Sequence, residues 1–260
     1  MNLAQLFNPV EKIVGLEITS GHLRAVLLEK NKKGGLKITK KSSPLAQGMI
    51  ENGQISNKLE LSLALKKFRQ ENKSLFKSKY IILALPPMFV FYEIMKFPAI
   101  TDEQINESIA LNINTKTLFP FEAGEIYYDW EPVKLKDPIH REAAVAFAMK
   151  EYIKDWMEVC ESAELEPLAF EIPSASITRA LENFNDKSGV VIRIIKEGLE
   201  IFIASDKKLA LSRFVQMPGI GNLDEFKSFI KNELGKTLRF YQAERPHDLE
   251  IKHAIIISQL

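Results

Sequence analysis

The chain has 260 residues, 46% of them hydrophobic and 27% charged, a length for one large domain or two small lobes and an ordinary globular composition. With 35 Lys and Arg against 34 Asp and Glu the formal net charge is +1, which calls for neither a nucleic acid nor an anionic membrane as partner. Its one cysteine, Cys160, excludes an intramolecular disulfide and fits a reducing compartment.

Met1 to Asn8 lacks the basic start and apolar core of a signal peptide, and Met1 to Val10 reads as a leader, with a short docking helix as the alternative. Ile13 to Leu28, IVGLEITSGHLRAVLL, reads as an apolar strand, a tight polar turn and a second apolar strand. The basic cluster from Lys30 to Lys41 surrounds Gly34-Gly35. It reads as a solvated hairpin tip, with a phosphate or lipid patch as the sharper alternative. Leu36 to Thr39 is a short third strand, and Met49 to Ile55 a loop broken by Gly48 and Gly53. Asn57 to Gln70 carries Leu61, Ala64, Leu65 and Phe68 on one helical stripe. Lys79 to Leu85 is a strand of the buried type, stopped by Pro86-Pro87, and Phe89 to Phe97 is a second β-rich run. The prolines, Glu93 and Lys96 interrupt this apolar stretch, so no transmembrane helix is expected.

Thr101 with Gln104 forms a capping box, opening a helix with Ile105, Ile109 and Ile113 on one side. Glu125 to Val133 and Ala143 to Ala148 read as strands. Tyr152 to Ala163 reads as a helix with Ile153, Trp156, Met157 and Cys160 inward. Leu168 to Ile172 is a strand, and Ser174 caps a helix reaching about Phe184. Three strands follow, at Val190 to Ile195, Leu199 to Ala204 and Leu209 to Val215. Asn222 and Glu225 then start a long helix with Phe226, Ile230, Leu234, Leu238 and Tyr241 on its stripe. Ala254 to Ile257 is a last short strand. The βββαβ order of Ile13–Leu85 thus recurs over Val190–Ile257, as a repeat of elements rather than of residues.

The first hairpin resembles the phosphate hairpin of actin-like ATPases, which carries Asp-x-Gly-Ser at its turn and Lys on its second strand. There the Asp organises the water shell of Mg²⁺, and the glycine lets backbone N–H groups reach phosphate. Here Glu17 stands in the Asp position, Thr19 in the Gly position and Arg24 in the Lys position, while Ser20 is kept. The stretch FPAITDEQINESIALNINTKTLFPFEAGEIYYDW matches a further pattern through Pro98, Glu103, Ile109, Leu118, Pro120, Phe121, Glu125, Asp129 and Trp130. With the following AAVAFAMKEYIKDWMEVCESAELEPLAFEIPSASITRAL, it resembles the PilM family of type IV pilus assembly proteins, relatives of the division protein FtsA. The resemblance runs from Ile13 to Ser258. It implies an α/β fold of the actin-like, FtsA-like kind, with two lobes and an inserted small α/β subdomain. The expected boundaries are 1–78 for the first part of lobe 1, 79–172 for the inserted subdomain, 173–188 for a returning helix and 189–260 for lobe 2.

The departures bear on chemistry. The family's second phosphate hairpin places Asp-x-Gly after an apolar strand, whereas VVIRIIKEGLEIFI puts Arg193 and Ile195 there. A cation there suits contact with phosphate but positions neither Mg²⁺ nor a water. The family's glycine-rich adenosine turn would follow the last strand, where this sequence gives Gln259-Leu260. ATP is therefore not expected as a working cofactor, nor is its hydrolysis. Glu17, Thr19, Ser20, Arg24 and Arg193 read as remnants of nucleotide positions.

By resemblance the protein is expected to be a cytoplasmic scaffold of the type IV pilus inner-membrane platform. It would hold the short cytoplasmic tail of a PilN-like membrane protein in extended form, in a groove between lobe 1 and the inserted subdomain. It would thereby sit peripherally at the inner membrane, near the pilus assembly ATPases. Strand alternation puts Glu125, Asp129 and Glu131 on one face with Tyr127, and Ile126, Tyr128 and Trp130 on the other. That acidic run is either a solvated sheet face or a partner surface, with Phe119, Phe121, Tyr127 and Trp130 as its candidate aromatics. An ATP-binding switch of the same machinery and the cytoplasmic domain of a GspL-like type II secretion protein are the alternatives. A sugar kinase lacks its catalytic Asp. His22, His140, His247 and His253 pair neither with one another nor with Cys160 at ligand spacing, so no metal is expected. Cys160 lies on a helix core stripe and reads as a small buried hydrophobe.

Overall fold

The computed structural model describes residues 12–30, 35–115, 123–133, 140–181, 188–205, 208–245 and 251–258. They fall into two compact units, one of residues up to Pro86 with Glu151–Ile172, the other of Pro87–Lys150 with Pro173 onwards.

The first unit is built on a mixed sheet. β1 (Val14–Ile18), β2 (His22–Lys30) and β3 (Leu36–Pro44) pair antiparallel in succession. β6 (Tyr80–Ala84) runs parallel to β1, and β10 (Glu166–Glu171) parallel to β6, giving the order β10-β6-β1-β2-β3. Period-two alternation turns Val14, Leu16, Ile18, Leu23, Ala25 and Leu27 to the buried face. α1 (Lys58–Glu71) is capped by Asn57, whose side chain accepts from the Glu60 N–H, and it buries Leu61, Leu65 and Phe68. α3 (Lys150–Ser162) buries Tyr152, Ile153, Trp156, Val159 and Cys160. Met157, expected inside, is 39% exposed, because it stands about 100° round the helix from Trp156. Lys58 Nζ ties the two helices, 2.6 Å from Asp155 and 2.7 Å from Glu158. At the other end Arg69 donates to the Ala163 carbonyl and the Glu164 carboxylate.

One expectation changes here. The segment Met49–Ile55 is a two-residue hairpin rather than a loop: β4 (Ile50–Glu51) and β5 (Gln54–Ile55) join through Asn52 at φ 48° and Gly53 at φ 76°. Asn-Gly supplies the left-handed backbone such a turn needs. Within the span 79–172, β6 and β10 pair into the first sheet, while Pro87–Lys150 belongs to the other unit.

The second unit holds two sheets. β7 (Val90–Pro98), β8 (Ile126–Val133) and β9 (His140–Met149) form an antiparallel sheet in the order β7-β9-β8. α2 (Asp102–Thr115) packs Ile105, Ile109 and Ile113 against Met95, Phe97, Val145 and Phe147. Its capping box is formed: the Thr101 N–H donates to Gln104 Oε1 at 2.9 Å, and the Gln104 N–H to Thr101 Oγ1 at 3.3 Å.

The other sheet contains β11 (Ser188–Ile195), β12 (Gly198–Ser205), β13 (Lys208–Gln216) and β14 (Ile251–Ser258), ordered β13-β12-β11-β14. α5 (Leu223–Glu244) lays Phe226, Ile230, Leu234, Leu238 and Tyr241 over Val190, Ile192 and Ile201. α4 (Pro173–Ala180) covers the opposite face, over Val191, Phe202 and Leu209. Tyr92 of β7 packs into that second cluster and donates its hydroxyl to the Leu209 carbonyl at 2.5 Å. Arg245, just past α5, binds Glu142 of β9 at 2.8 Å. The repeat of element order appears as topology, since β3-β2-β1-β6 of the first sheet recurs as β13-β12-β11-β14. Among the described residues no helix is long and apolar enough to cross a membrane.

Candidate functional site

In the first hairpin Glu17 and Arg24 are direct cross-strand partners. Arg24 Nη1 donates to Glu17 Oε2 at 3.1 Å, with both side chains partly exposed. Thr19 closes the turn. Its N–H donates to the His22 carbonyl at 2.9 Å, and its Oγ1 accepts from the His22 N–H at 3.1 Å. Ser20 is buried, and its Oγ finds no partner among the described residues. Gly21 beside it has open space where a Cβ would stand. The turn thus keeps room and one hydroxyl, while its carboxylate and cation neutralise each other.

The second hairpin is closed more firmly. Arg193 and Glu200 oppose each other across β11 and β12, with Nη1 donating to Oε2 at 2.9 Å. Both residues are enclosed, at 1% and 0% exposure. Glu200 Oε1 also accepts the Ser174 N–H at 3.2 Å, in the first turn of α4, where the helix dipole favours an anion. Ser174 Oγ lies 2.9 Å from Ser212 Oγ. The sequence reading put a cation at Arg193 in a position to meet phosphate. In the structure that guanidinium is inside the protein and held by a carboxylate, because its cross-strand neighbour is acidic.

Both pairs are seven residues apart, with the order of charges reversed. Neither Glu17 nor Glu200 is left unengaged for the water shell of Mg²⁺. Among the described residues no group of three or more His, Cys, Asp or Glu is placed to hold a metal ion.

The candidate partner aromatics separate. Tyr127 is 49% exposed on β8, with Lys150 Nζ 5.4 Å from its ring centroid. Trp130 packs on the α2 side of the sheet and donates Nε1–H to Asn106 Oδ1 at 2.7 Å. Phe119 and Phe121 lie outside the described residues. The face that carries Tyr127, Asp129 and Glu131 continues onto β9 as Ala148, Ala146 and Ala144, then onto β7 as Val90, Tyr92 and Ile94. The sequence reading missed this alanine stripe. Its signal was the alternation of alanine inside AAVAFAM. Cys160 is buried, and burial, with the charge of Glu161 adding to it, pushes its thiol up to about 12.

Residues 15–190 match the family profile described as type IV pilus assembly protein PilM. The chain belongs to the PilM family. The matched stretch includes Glu17 and Arg24 and stops short of Arg193 and Glu200. Among solved structures this PilM-family chain is similar to a PilM–PilN type IV pilus biogenesis complex. The TM-score is 0.76 and the identity 19%, over 96% of this chain and 82% of that one. It is also similar to the cytoplasmic domain of EpsL, an inner membrane component of the type II secretion system of Vibrio cholerae. There the TM-score is 0.50 and the identity 7%, over 79% and 71% of the two chains. An exopolyphosphatase from Cytophaga hutchinsonii gives 0.52 and 8%, over 95% and 66%. No curated protein sequence matches. The fold is mixed α/β of the actin-like class, and PilM-family membership places the chain in type IV pilus assembly.

Proposed function

We propose that the chain is a nucleotide-independent scaffold of the type IV pilus inner-membrane platform, holding the cytoplasmic tail of a PilN-like protein. The enclosure of Arg193 with Glu200 carries the first half of this reading. Breaking a buried pair to free one charge costs about 3–5 kcal/mol, which phosphate contacts at the hairpin would have to offset. The partner is inferred from the likeness to a PilM–PilN complex. A tail held in extended form suits the exposed side of β8, where Tyr127, Asp129 and Glu131 stand. On this reading Pro87–Lys150 contributes the inserted subdomain, and the protein meets the inner membrane through its partner.

Calorimetric titration of the full chain tests both halves. A synthetic peptide of a PilN-like cytoplasmic tail should give binding heat that Mg-ATP leaves unchanged, and Mg-ATP alone should give none. Micromolar binding of Mg-ATP would overturn nucleotide independence. A tail peptide that fails to bind with and without nucleotide would overturn the scaffold role.

A further inference from the structure

β3 is the edge of the first sheet, paired with β2 along all 9 of its residues and with no other strand among those described. Its outer N–H and C=O groups therefore line an open ladder. Leu36, Ile38, Lys40 and Ser42 share one face of it, and Lys37, Thr39, Lys41 and Ser43 the other. Ile38 lies beside Leu28 of β2, and Ile13 extends that row past the start of β1. These are exposed apolar side chains: Leu36 61%, Ile38 60%, Leu28 57% and Ile13 41%. Lysines on an edge strand guard against self-pairing, which explains Lys37, Lys40 and Lys41 but not an apolar row beside them.

Charge narrows the occupant. The strand carries no acid. The acids on its neighbours are engaged, Glu29 by Lys12 and Lys37 and Glu17 by Arg24. Lys40 and Lys41 form no ion pair among the described residues. A second copy would set one acid-free, lysine-bearing strand against another, which like charges disfavour. A lipid surface would cover the apolar row but leave the open ladder of backbone groups unsatisfied. We propose that the free edge of β3 receives an extended segment of a partner protein that alternates apolar and acidic residues. Its backbone completes the ladder, its apolar side chains cover Leu36 and Ile38 on one face, and its carboxylates face Lys37 and Lys41 on the other. This surface belongs to the first unit, whereas the PilN-like tail is proposed to meet β8 of the second.

Two labelled peptides of the length of β3, one alternating Val and Glu and the other Val and Lys, test this by fluorescence anisotropy with the full chain. The Val/Glu peptide should bind about tenfold more tightly, with the difference shrinking at about 0.5 M salt. Amide exchange should slow across 36–44. The variant Lys37→Glu/Lys41→Glu should reverse the preference, and Ile38→Thr should weaken the Val/Glu peptide several-fold. All three side chains are exposed, so folding should be unchanged. Equal binding of both peptides, no binding of either, or a preference that survives the charge reversal would overturn the proposal. Capture on phosphatidylglycerol vesicles without peptide binding would point instead to a lipid face. A concentration-dependent dimer lost in Ile38→Lys would point to self-pairing. Either would overturn it.

Discussion

Arg193 and Glu200 face each other on neighbouring strands, 2.9 Å apart, with both side chains closed off from solvent. Glu17 and Arg24 repeat the arrangement near the surface of the other unit, at the same spacing and with the charges exchanged. In each unit an acid and an arginine on the two strands of this hairpin pair with each other.

The two pairs should differ in what they contribute. Arg193→Met strands an enclosed carboxylate and should lower stability by about 3–5 kcal/mol. Arg193→Met combined with Glu200→Gln should recover a large part of that loss, because no charge remains buried and the Gln oxygen still accepts from Ser174. Arg24→Ala, at a partly exposed pair, should cost less than about 1 kcal/mol. Urea unfolding midpoints of the three variants measure this. Equal losses for Arg193→Met and Arg24→Ala would contradict it.

Gly198 starts β12, where an added Cβ would lie 2.2 Å from the Val215 carbonyl oxygen and 2.7 Å from the Phe214 ring. Backbone cannot give way as a side-chain tip does. Gly198→Ala should therefore cost about 1–3 kcal/mol and speed amide exchange along β12 and β13. Gly15→Ala meets only the Val26 Cγ1 at 3.1 Å and should be milder.

Much of this architecture was legible in residue spacing. Alternation in Ile13–Leu28 gave β1 and β2, and the stripe from Phe226 to Tyr241 is the face α5 buries. The capping residues Thr101, Gln104 and Asn222 stand where their helices begin. Strand β3 was read as ending at Thr39 but runs to Pro44. Its second half, Lys40-Lys41-Ser42-Ser43, has no apolar alternation, because neither face of an edge strand must enter a core. The buried role of Arg193 was hidden for another reason. A lone arginine in an apolar strand reads as a surface cation until its cross-strand neighbour is known, and register is not written in either strand alone.

Cys160 should be inert in the folded protein. Burial holds its thiol near 12, so the thiolate is scarce at neutral pH as well as shielded. An aromatic disulfide reagent at about pH 8 should react with it only as fast as the first unit opens, and mild denaturant should raise the rate. Rapid stoichiometric reaction in buffer alone would contradict the enclosure of the α3 stripe.

Glu233 on α5 accepts from Lys236 at 2.6 Å and pairs with Arg213 at 3.0 Å. The Lys236 contact first, then the charge of Arg213, holds its carboxyl below the ordinary 4.5. A depressed folded-state value means the stabilisation is full above 4.5 and is lost as the pH falls through the lower folded value. Glu233→Gln should be less stable than the parent at neutral pH, by about 1 kcal/mol or less, and the gap should close in acid. Thermal unfolding of both proteins across acid and neutral pH measures the gap.

The contacts of Tyr92 with Leu209 and of Arg245 with Glu142 have a mechanical meaning. They rivet the three-stranded sheet at two points, to β13 of the four-stranded sheet and to the end of α5 that covers it. A pull applied along β8 or β9 does not end in a loose appendage. It passes as shear into β13 and the end of α5, so whatever grips that small sheet also grips the larger one behind it.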